Sequence, residues 1–191
     1  GRSQGGTRAV GPGFEAPCKV SGVAAQGSLD IENRAVLFSE LVLERDTAYA
    51  ELAGLILVED GGPRVTMNGR IEGFTPTQID EYWPTAFAPP VHAWFVDSIK
   101  DGVVTEGTVR LNVGPDELNG AGLPAEAVEA RFSVSGVTAR YFGDMPLITE
   151  GVGSLRLTGD SVDLELSSGR LGDLVLQEGA IQMVESAPKI W

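Results

Sequence analysis

Apolar and polar residues alternate with a period of two along most of this chain. The clearest segments are residues 64–74, 103–113 and 161–167, where most alternate positions are apolar between charged or hydroxylated neighbours. Such alternation is typical of antiparallel strands that bury one face and leave the other in water. Residues 35–45 differ because both faces carry apolar side chains. We expect that strand to be covered on both sides.

Short connections rich in glycine and aspartate separate these segments. DGGP at residues 60–63 and the Gly-Asp pairs at 159–160 and 172–173 are typical of tight turns. We count nine or ten strands, and connections this short favour a meander in which each strand pairs with the next. The predicted fold is mainly β, an antiparallel meander curled into a groove or an open barrel-like sheet.

Residues 75–101 interrupt the alternation with two short predicted helices near the middle of the chain. Thr75-Pro76-Thr77-Gln78 is a capping-box pattern with proline at the first helical position, and this helix must end before Pro84. A second helix begins near Pro89 and carries one apolar stripe until Asp101-Gly102. Helices this short need support, so we expect them to lie as a lid on an apolar sheet surface. The residues predicted to pack this lid are Trp83, Trp94, Phe95 and Ile99.

A long apolar sheet face must pack on another sheet, close into a barrel or hold a ligand. The alternation assigns Val103 to this face and Val104 to the opposite one. The residues assigned to the apolar groove face are Val65, Met67, Ile71, Val109, Leu111, Val113, Phe132, Val134, Leu155, Leu157, Leu164 and Leu166.

Two short motifs recur in the same order along the chain. VSGVAA at 20–25 precedes GSLDI at 27–31, and VSGVTA at 134–139 precedes GSLRL at 153–157. Two matches in one order favour a repeated β unit. The predicted organisation is a flexible N-terminal segment at 1–16, a first β unit at 17–114 with the helical insert at 75–101, a connector at 115–130 and a second β unit at 131–191.

The charge balance limits the partners of this chain. Its 191 residues contain 14 Lys and Arg against 27 Asp and Glu, a formal net charge of −13, and the acidic residues are scattered. The phosphates of nucleic acids and anionic membrane surfaces repel such a chain. We therefore expect no nucleic-acid partner and no direct electrostatic attachment to a membrane.

The sequence contains no constellation typical of an enzyme. His92 is the only histidine, and its neighbours make it part of a helix surface rather than of a Ser-His-Asp triad. Cys18 is the only cysteine, so the chain has no internal disulfide and no cysteine-based metal site. Metal-binding and phosphate-loop motifs are absent, and the carboxylates fall on solvent-facing strand positions. We expect no catalytic residue, no metal and no cofactor.

Aromatic residues concentrate in the predicted helices. They could form a surface for a sugar or a cofactor, although packing between helices and a sheet is the commoner use of such residues. These residues are Tyr82, Trp83, Phe87, Trp94 and Phe95.

The sequence lacks a run of about 18 apolar residues and a visible signal peptide. It begins at a glycine and ends at APKIW. We interpret it as a segment of a longer protein, whose targeting or membrane-anchoring element is expected outside these residues.

An unusual series spans the helical insert and the strand after it. It reads Tyr-Trp-Pro, a gap, Ala-Pro, a second Trp, and then Gly-x-Val-x-x-Gly-x-x-x-Leu. Its residues are Tyr82, Trp83, Pro84, Ala88, Pro89, Trp94, Gly102, Val104, Gly107 and Leu111.

This series resembles the central domain of the AsmA-like envelope proteins, specifically the YhdP-type members. The resemblance covers Pro63 to Val184, and the first sixty residues more loosely. Residues 132–176, with a strand, a Pro-Leu loop and a glycine-bounded hairpin, are similar to the next element of that family. The family has a basic residue two positions before the second Trp, where this chain has His92. A contact that needs a permanent cation at that position is therefore not expected here.

The resemblance implies a periplasmic protein of Gram-negative bacteria, anchored in the inner membrane. Its β-groove would carry phospholipid to the outer membrane, with the acyl chains on the apolar face, and so support envelope integrity. The edge strands would contact neighbouring β units of the full-length protein. The alternative is a structural or protein-interaction β module whose inner face is filled by its own side chains and which binds no ligand.

Overall fold

A computed structural model of the chain describes residues 3–9, 18–83, 89–118, 123–140 and 146–184. These residues are dominated by one antiparallel sheet. Its strands are β1 (Ser3–Ala9), β2 (Cys18–Asp30), β3 (Ala35–Arg45), β4 (Ala48–Glu59), β5 (Gly62–Glu72), β6 (Ile99–Val113), β7 (Val128–Ala139), β8 (Ile148–Thr158), β9 (Ser161–Leu171), β10 (Leu174–Leu176) and β11 (Gly179–Val184).

Each strand from β1 to β10 pairs with its neighbours in sequence, and β11 returns to pair with β9 beside β10. This confirms the predicted meander, with 11 strands rather than nine or ten. Within the described residues β1 does not pair with the last strands, so the sheet is open and the barrel is not closed. Short connections account for most of this pairing, because they favour the sequence neighbour as a partner, and β5 still pairs with β6 although two helices separate them along the chain.

The register places apolar and polar side chains on opposite faces, which we call the apolar face and the polar face. Directly paired residues share a face in an antiparallel sheet. One row on the apolar face crosses seven strands through Leu43, Ala50, Ile71, Gly107, Phe132, Leu155 and Leu164. The neighbouring row on the polar face runs through Glu51, Arg70, Thr108, Arg131, Arg156 and Asp163.

All 12 residues assigned to the apolar groove face lie on this one face. The assignment of Val104 to the opposite face is wrong, while Val103 lines an apolar pocket as well. Val104 pairs with Val134 on the apolar face and is 5% exposed, whereas Val103 pairs with Ser135. A register shift between Val104 and Glu106 inserts an extra residue, and such a bulge reverses the alternation beyond it.

The strand at residues 35–45 is not covered on both sides. Its Leu37 pairs with Leu55 of β4 on the polar face, and these side chains are 46% and 37% exposed. The expectation of a two-sided cover is therefore wrong for the described residues. Leu37 and Leu55 therefore form an exposed apolar patch on the polar face.

The helical insert comprises α1 (Pro76–Tyr82) and α2 (Pro89–Ser98). The capping box of α1 is confirmed: the Gln78 backbone N–H donates to Thr75 Oγ1 at 3.4 Å, and the Thr75 N–H donates to Gln78 Oε1 at 3.0 Å. The predicted end of the second helix at Asp101 is wrong, because Ile99 already pairs with Ala139 of β7. Sheet pairing stops the helix at Ser98, before the glycine signal.

The connector contains a short helix α3 (Pro115–Leu118) and a 3-10 turn at Ala125–Ala127, before β7 begins at Val128. Strands β6 and β7 pair directly across it, so one sheet spans both predicted β units. Residues 3–9 of the segment expected to be flexible form β1. The two copies of the repeat adopt different structures, since the first lies on β2 up to Asp30 and the second divides between β7 and β8.

Candidate functional site

Helix α1 is fixed to the sheet by a cluster of buried apolar residues. Ala48, Ala50, Phe74 and Val104 form a buried cluster, each at most 8% exposed. The ring of Tyr82 packs edge-on against Phe74, with centroids 5.9 Å apart and an angle of 76°. Aromatic pairs in this geometry add stability beyond the area they bury.

An ion pair adds a second attachment for α1. The Arg45 guanidinium, at the end of β3, donates to the Glu81 carboxylate and lies 5.9 Å from the centroid of the Tyr82 ring. The Arg45 side chain is only 17% exposed. The hydrogen bond to Glu81 raises the pKa of Arg45 above its usual value. The guanidinium therefore stays charged and holds α1 against the strand.

Helix α2 is held through α1 by the histidine that the sequence singled out. His92 Nε2 lies 2.6 Å from Asp80 Oδ1 of α1. The Trp83 ring stacks on His92 at a centroid distance of 5.1 Å and on Phe95 at 6.0 Å. His92 thus joins the two helices, in agreement with its predicted place on a helix surface.

An apolar pocket of about 140 Å³ lies between the helix pair and the apolar face. Ile79, Trp83, Trp94 and Phe95 line its helical side, and Asp101 is the single charged residue among the described lining residues. Apart from Asp101 on β6, the sheet side carries no charged residue among the described lining residues. It includes Ile71, Val104, Phe132, Val134, Val137, Leu155, Leu157, Val162 and Leu164.

A second pocket of about 220 Å³ adjoins the first towards β10 and β11. The two pockets share Val134, Val137 and Leu164, so their linings are continuous along the apolar face. Leu166 and Leu171 extend the lining, and Glu178 stands at this end. Together the pockets form a trough, which begins under the helices and opens towards the last strands.

The trough brings together most of the predicted site. All four lid residues, Trp83, Trp94, Phe95 and Ile99, line the first pocket, with Ile99 doing so from β6 rather than from a helix. The groove residues that line either pocket are Ile71, Phe132, Val134, Leu155, Leu157, Leu164 and Leu166. Val65, Met67, Val109, Leu111 and Val113 lie on the same face beyond the trough.

Sequence reasoning missed several lining residues. Val104 was hidden by the bulge, and Val137 lies where further register shifts break the alternation of β7. Ile79 carried a signal, since it occupies the apolar position of the predicted first helix. Phe87 lies outside the described residues, as do Pro84 and Ala88 of the resemblance.

The apolar face is only half-buried. Eleven of the 12 groove residues have intermediate exposure, and Val113 alone is buried. Among the described residues no large side chain is fully buried. A face packed under its own second layer would carry fully buried Leu, Ile and Phe. The described residues therefore leave this face partly exposed.

A depression of about 540 Å³ lies on the polar face over β4 to β7. Glu51, Arg70, Arg110, Glu129 and Arg131 line it. Its charged lining does not suit an apolar ligand. The smaller trough is the better candidate for an apolar ligand because its lining matches that chemistry.

Other kinds of site receive no support from the described ranges. No group of three or more His, Cys, Asp or Glu in them could hold a metal ion. No helix there has the length and hydropathy needed to cross a membrane. Comparisons of the chain with protein-family models, with curated proteins and with solved structures gave no match.

Proposed function

We propose that this chain binds phospholipid acyl chains in the trough on its apolar face. In this proposal it is a segment of a periplasmic β-groove protein, anchored in the inner membrane, that takes part in phospholipid transport to the outer membrane and in envelope integrity. Binding requires no catalytic residue, metal or cofactor. The function is that of a carrier rather than of an enzyme.

The half-buried apolar face is the observation that carries this proposal. Eleven half-buried apolar residues on one face represent surface that folding alone has not removed from water. An acyl chain laid along them contributes about 0.8 kcal/mol for each CH₂ group it buries. A continuous apolar strip suits a long, flexible and uniformly apolar ligand.

The size of the trough agrees with a lipid acyl chain that is only partly enclosed. Pockets of about 140 and 220 Å³ are smaller than the ~300–1,000 Å³ pockets that enclose whole drug-sized ligands. A ligand would therefore have one part under the helices and the rest along the open face. This arrangement lets a lipid enter and leave without complete opening of the lid.

The residues of the family resemblance gather around the trough, which adds support. Trp83 and Trp94 line the first pocket, and Tyr82 packs α1 onto its core. Gly102 and Val104 line the same pocket from β6. Five described residues of that series thus lie at or beside the first pocket, while Leu111 lies on the same face beyond the trough.

Native mass spectrometry with lipid extraction tests the proposal. We expect phospholipid to copurify with the protein, and Leu155→Asp to abolish its capture, because a carboxylate in the trough must be desolvated to admit an acyl chain. Thr66→Asp is the control. It adds the same charge on the polar face, where Thr66 is exposed and pairs with Leu55 and Asn112, and should retain the lipid.

A further variant separates binding from folding. Val134→Phe fills the trough with an apolar ring at a half-buried position, and should reduce lipid capture while the far-UV circular dichroism spectrum stays unchanged. A protein that folds but carries no lipid, and takes up none from vesicles, would contradict the proposal. That result favours the alternative, a structural β module without a ligand.

A further inference from the structure

The polar face carries a row of arginines that the proposed function does not use. Arg70, Thr108, Arg131 and Arg156 are direct neighbours on the four consecutive strands β5 to β8. Arg110 stands on the same face of β6, two residues from Thr108. Four arginines thus meet at the centre of one face of a chain whose net charge is −13.

Part of this charge is compensated within the protein. Arg70 Nη2 lies 3.2 Å from Glu51 Oε2, and Arg131 Nη2 lies 2.7 Å from Glu129 Oε1. Among the described residues, Arg110 and Arg156 make no ion pair. The register sets Arg110 opposite Glu129 and Arg156 opposite Asp163, but neither guanidinium makes an ion pair there, so both can turn to an external anion.

The register adds a second, independent observation. Arg131 and Arg156 are paired directly across β7 and β8. Like charges directly opposite one another destabilise a sheet. An anion placed between the two side chains would replace this repulsion by two attractive contacts.

The surface over the row has room for a ligand. The 540 Å³ depression is lined by Arg70, Arg110 and Arg131, with Asn68 and Thr108 as neutral hydrogen-bonding neighbours. Arginine donates paired N–H groups that match the oxygens of a phosphate. Amide and hydroxyl donors complete such a site.

We propose that the row of Arg70, Arg110, Arg131 and Arg156 binds a phosphate-bearing ligand on the polar face. The apolar trough lies on the opposite face, so this site is distinct from the proposed acyl-chain site. The guanidinium groups act on an anion within about 10 Å at moderate ionic strength, although Glu51, Glu129 and Asp163 stand beside them on the same face. The phosphate can belong to a small soluble molecule or to a lipid headgroup.

Nuclear magnetic resonance of the arginine Nε–H groups tests this proposal. Pyrophosphate is titrated at low ionic strength into the labelled protein, and we expect saturable shifts of the Arg110, Arg131 and Arg156 signals. The double variant Arg131→Gln/Arg156→Gln should weaken binding at least about tenfold, since it removes two charged hydrogen-bond donors. Both side chains lie on exposed strand positions, so the fold should be retained.

Arg34→Gln is the matched control. Arg34 is exposed, pairs with Asp60 at 3.1 Å and stands away from the row, so its loss removes one positive charge without touching the site. Pyrophosphate affinity should stay within twofold of the unsubstituted protein, a free-energy change of less than about 0.5 kcal/mol.

Vesicles of phosphatidylcholine with and without phosphatidylglycerol identify the source of the phosphate. Flotation that requires phosphatidylglycerol and is lost in the double variant assigns the site to lipid headgroups. Pyrophosphate binding without flotation assigns it to a soluble ligand. The proposal is overturned if neither probe binds, or if Arg34→Gln weakens binding as much as the double variant does.

Discussion

At the scale of single residues, backbone conformation and close contacts determine which side chains the chain tolerates. Gly73 has a positive φ of 71°, and a Cβ built there would lie 2.0 Å from the Thr47 carbonyl oxygen. Gly136 has a similar φ of 64°, yet a Cβ there would meet no atom within 4 Å. The two positions therefore separate backbone strain from steric overlap.

We expect Gly136→Ala to lower the free energy of unfolding by about 1–2 kcal/mol, the cost of a left-handed conformation for an L-residue. Gly73→Ala should cost about 1–3 kcal/mol more, because the chain at Thr47 must also move. Urea unfolding of the two variants measures the difference. Equal losses would show that the Thr47 contact relaxes without cost.

At the scale of elements, the two helices are held in different ways. Helix α1 rests on the buried cluster around Phe74 and on the Arg45–Glu81 pair. Helix α2 is joined to α1 by the His92–Asp80 contact and by stacking on Trp83. It lines the trough instead of filling a packed core. Helix α1 is therefore an anchored element, and α2 is the more easily displaced lid.

This difference predicts unequal effects of two aromatic truncations. Phe74→Ala removes an 8% exposed ring and should cost about 3–5 kcal/mol in the free energy of unfolding. Trp94→Ala removes a half-buried ring that borders the trough, and should cost less than half as much. Urea melts test the order. A larger loss for Trp94 would place the main packing under α2.

The sequence predicted these elements as far as local signals reach. Alternation gave the faces of β5 and β9, and the Thr75–Gln78 capping box gave the start of α1. The sequence alone could not predict the bulge near Val104 or the start of β6 at Ile99. Both depend on the partner strand β7, because a strand pairs according to the surface it meets and not according to its own pattern.

The candidate site was predictable to a similar degree. The lid residues and the residues of the apolar face could be predicted from the hydrophobic periodicity, because each set lies on one side of its own helix or strand. The arginine row was not visible, because its members come from four strands that are far apart in sequence. Only the register brings Arg70, Arg131 and Arg156 into one line.

At the scale of the whole molecule, a single sheet crosses the predicted boundary between two β units. Strands β6 and β7 pair from Ile99 with Ala139 to Leu111 with Val128. A ladder of this length couples the two halves, so neither half can lose its strands without exposing the other. The described structure therefore favours one cooperative unit.

We expect one unfolding transition. Fluorescence of Trp83 and Trp94 reports the helix pair, and far-UV circular dichroism reports the sheet; in urea the two curves should coincide. The substitution Trp191→Phe leaves these two tryptophans as the only ones in the chain and serves as the background. Separate midpoints for the two probes would instead indicate two units that unfold independently.

The edge of the sheet beyond β9 is formed by two short strands, β10 and β11. Along β9, β11 occupies the half from Ser161 to Leu166 and β10 occupies the end from Gly169 to Leu171. Another chain that pairs with this edge finds at most six consecutive strand residues, the length of β11. Very short edge strands discourage runaway stacking between copies. The divided edge therefore limits edge-to-edge pairing between copies of a chain whose apolar face is only partly buried.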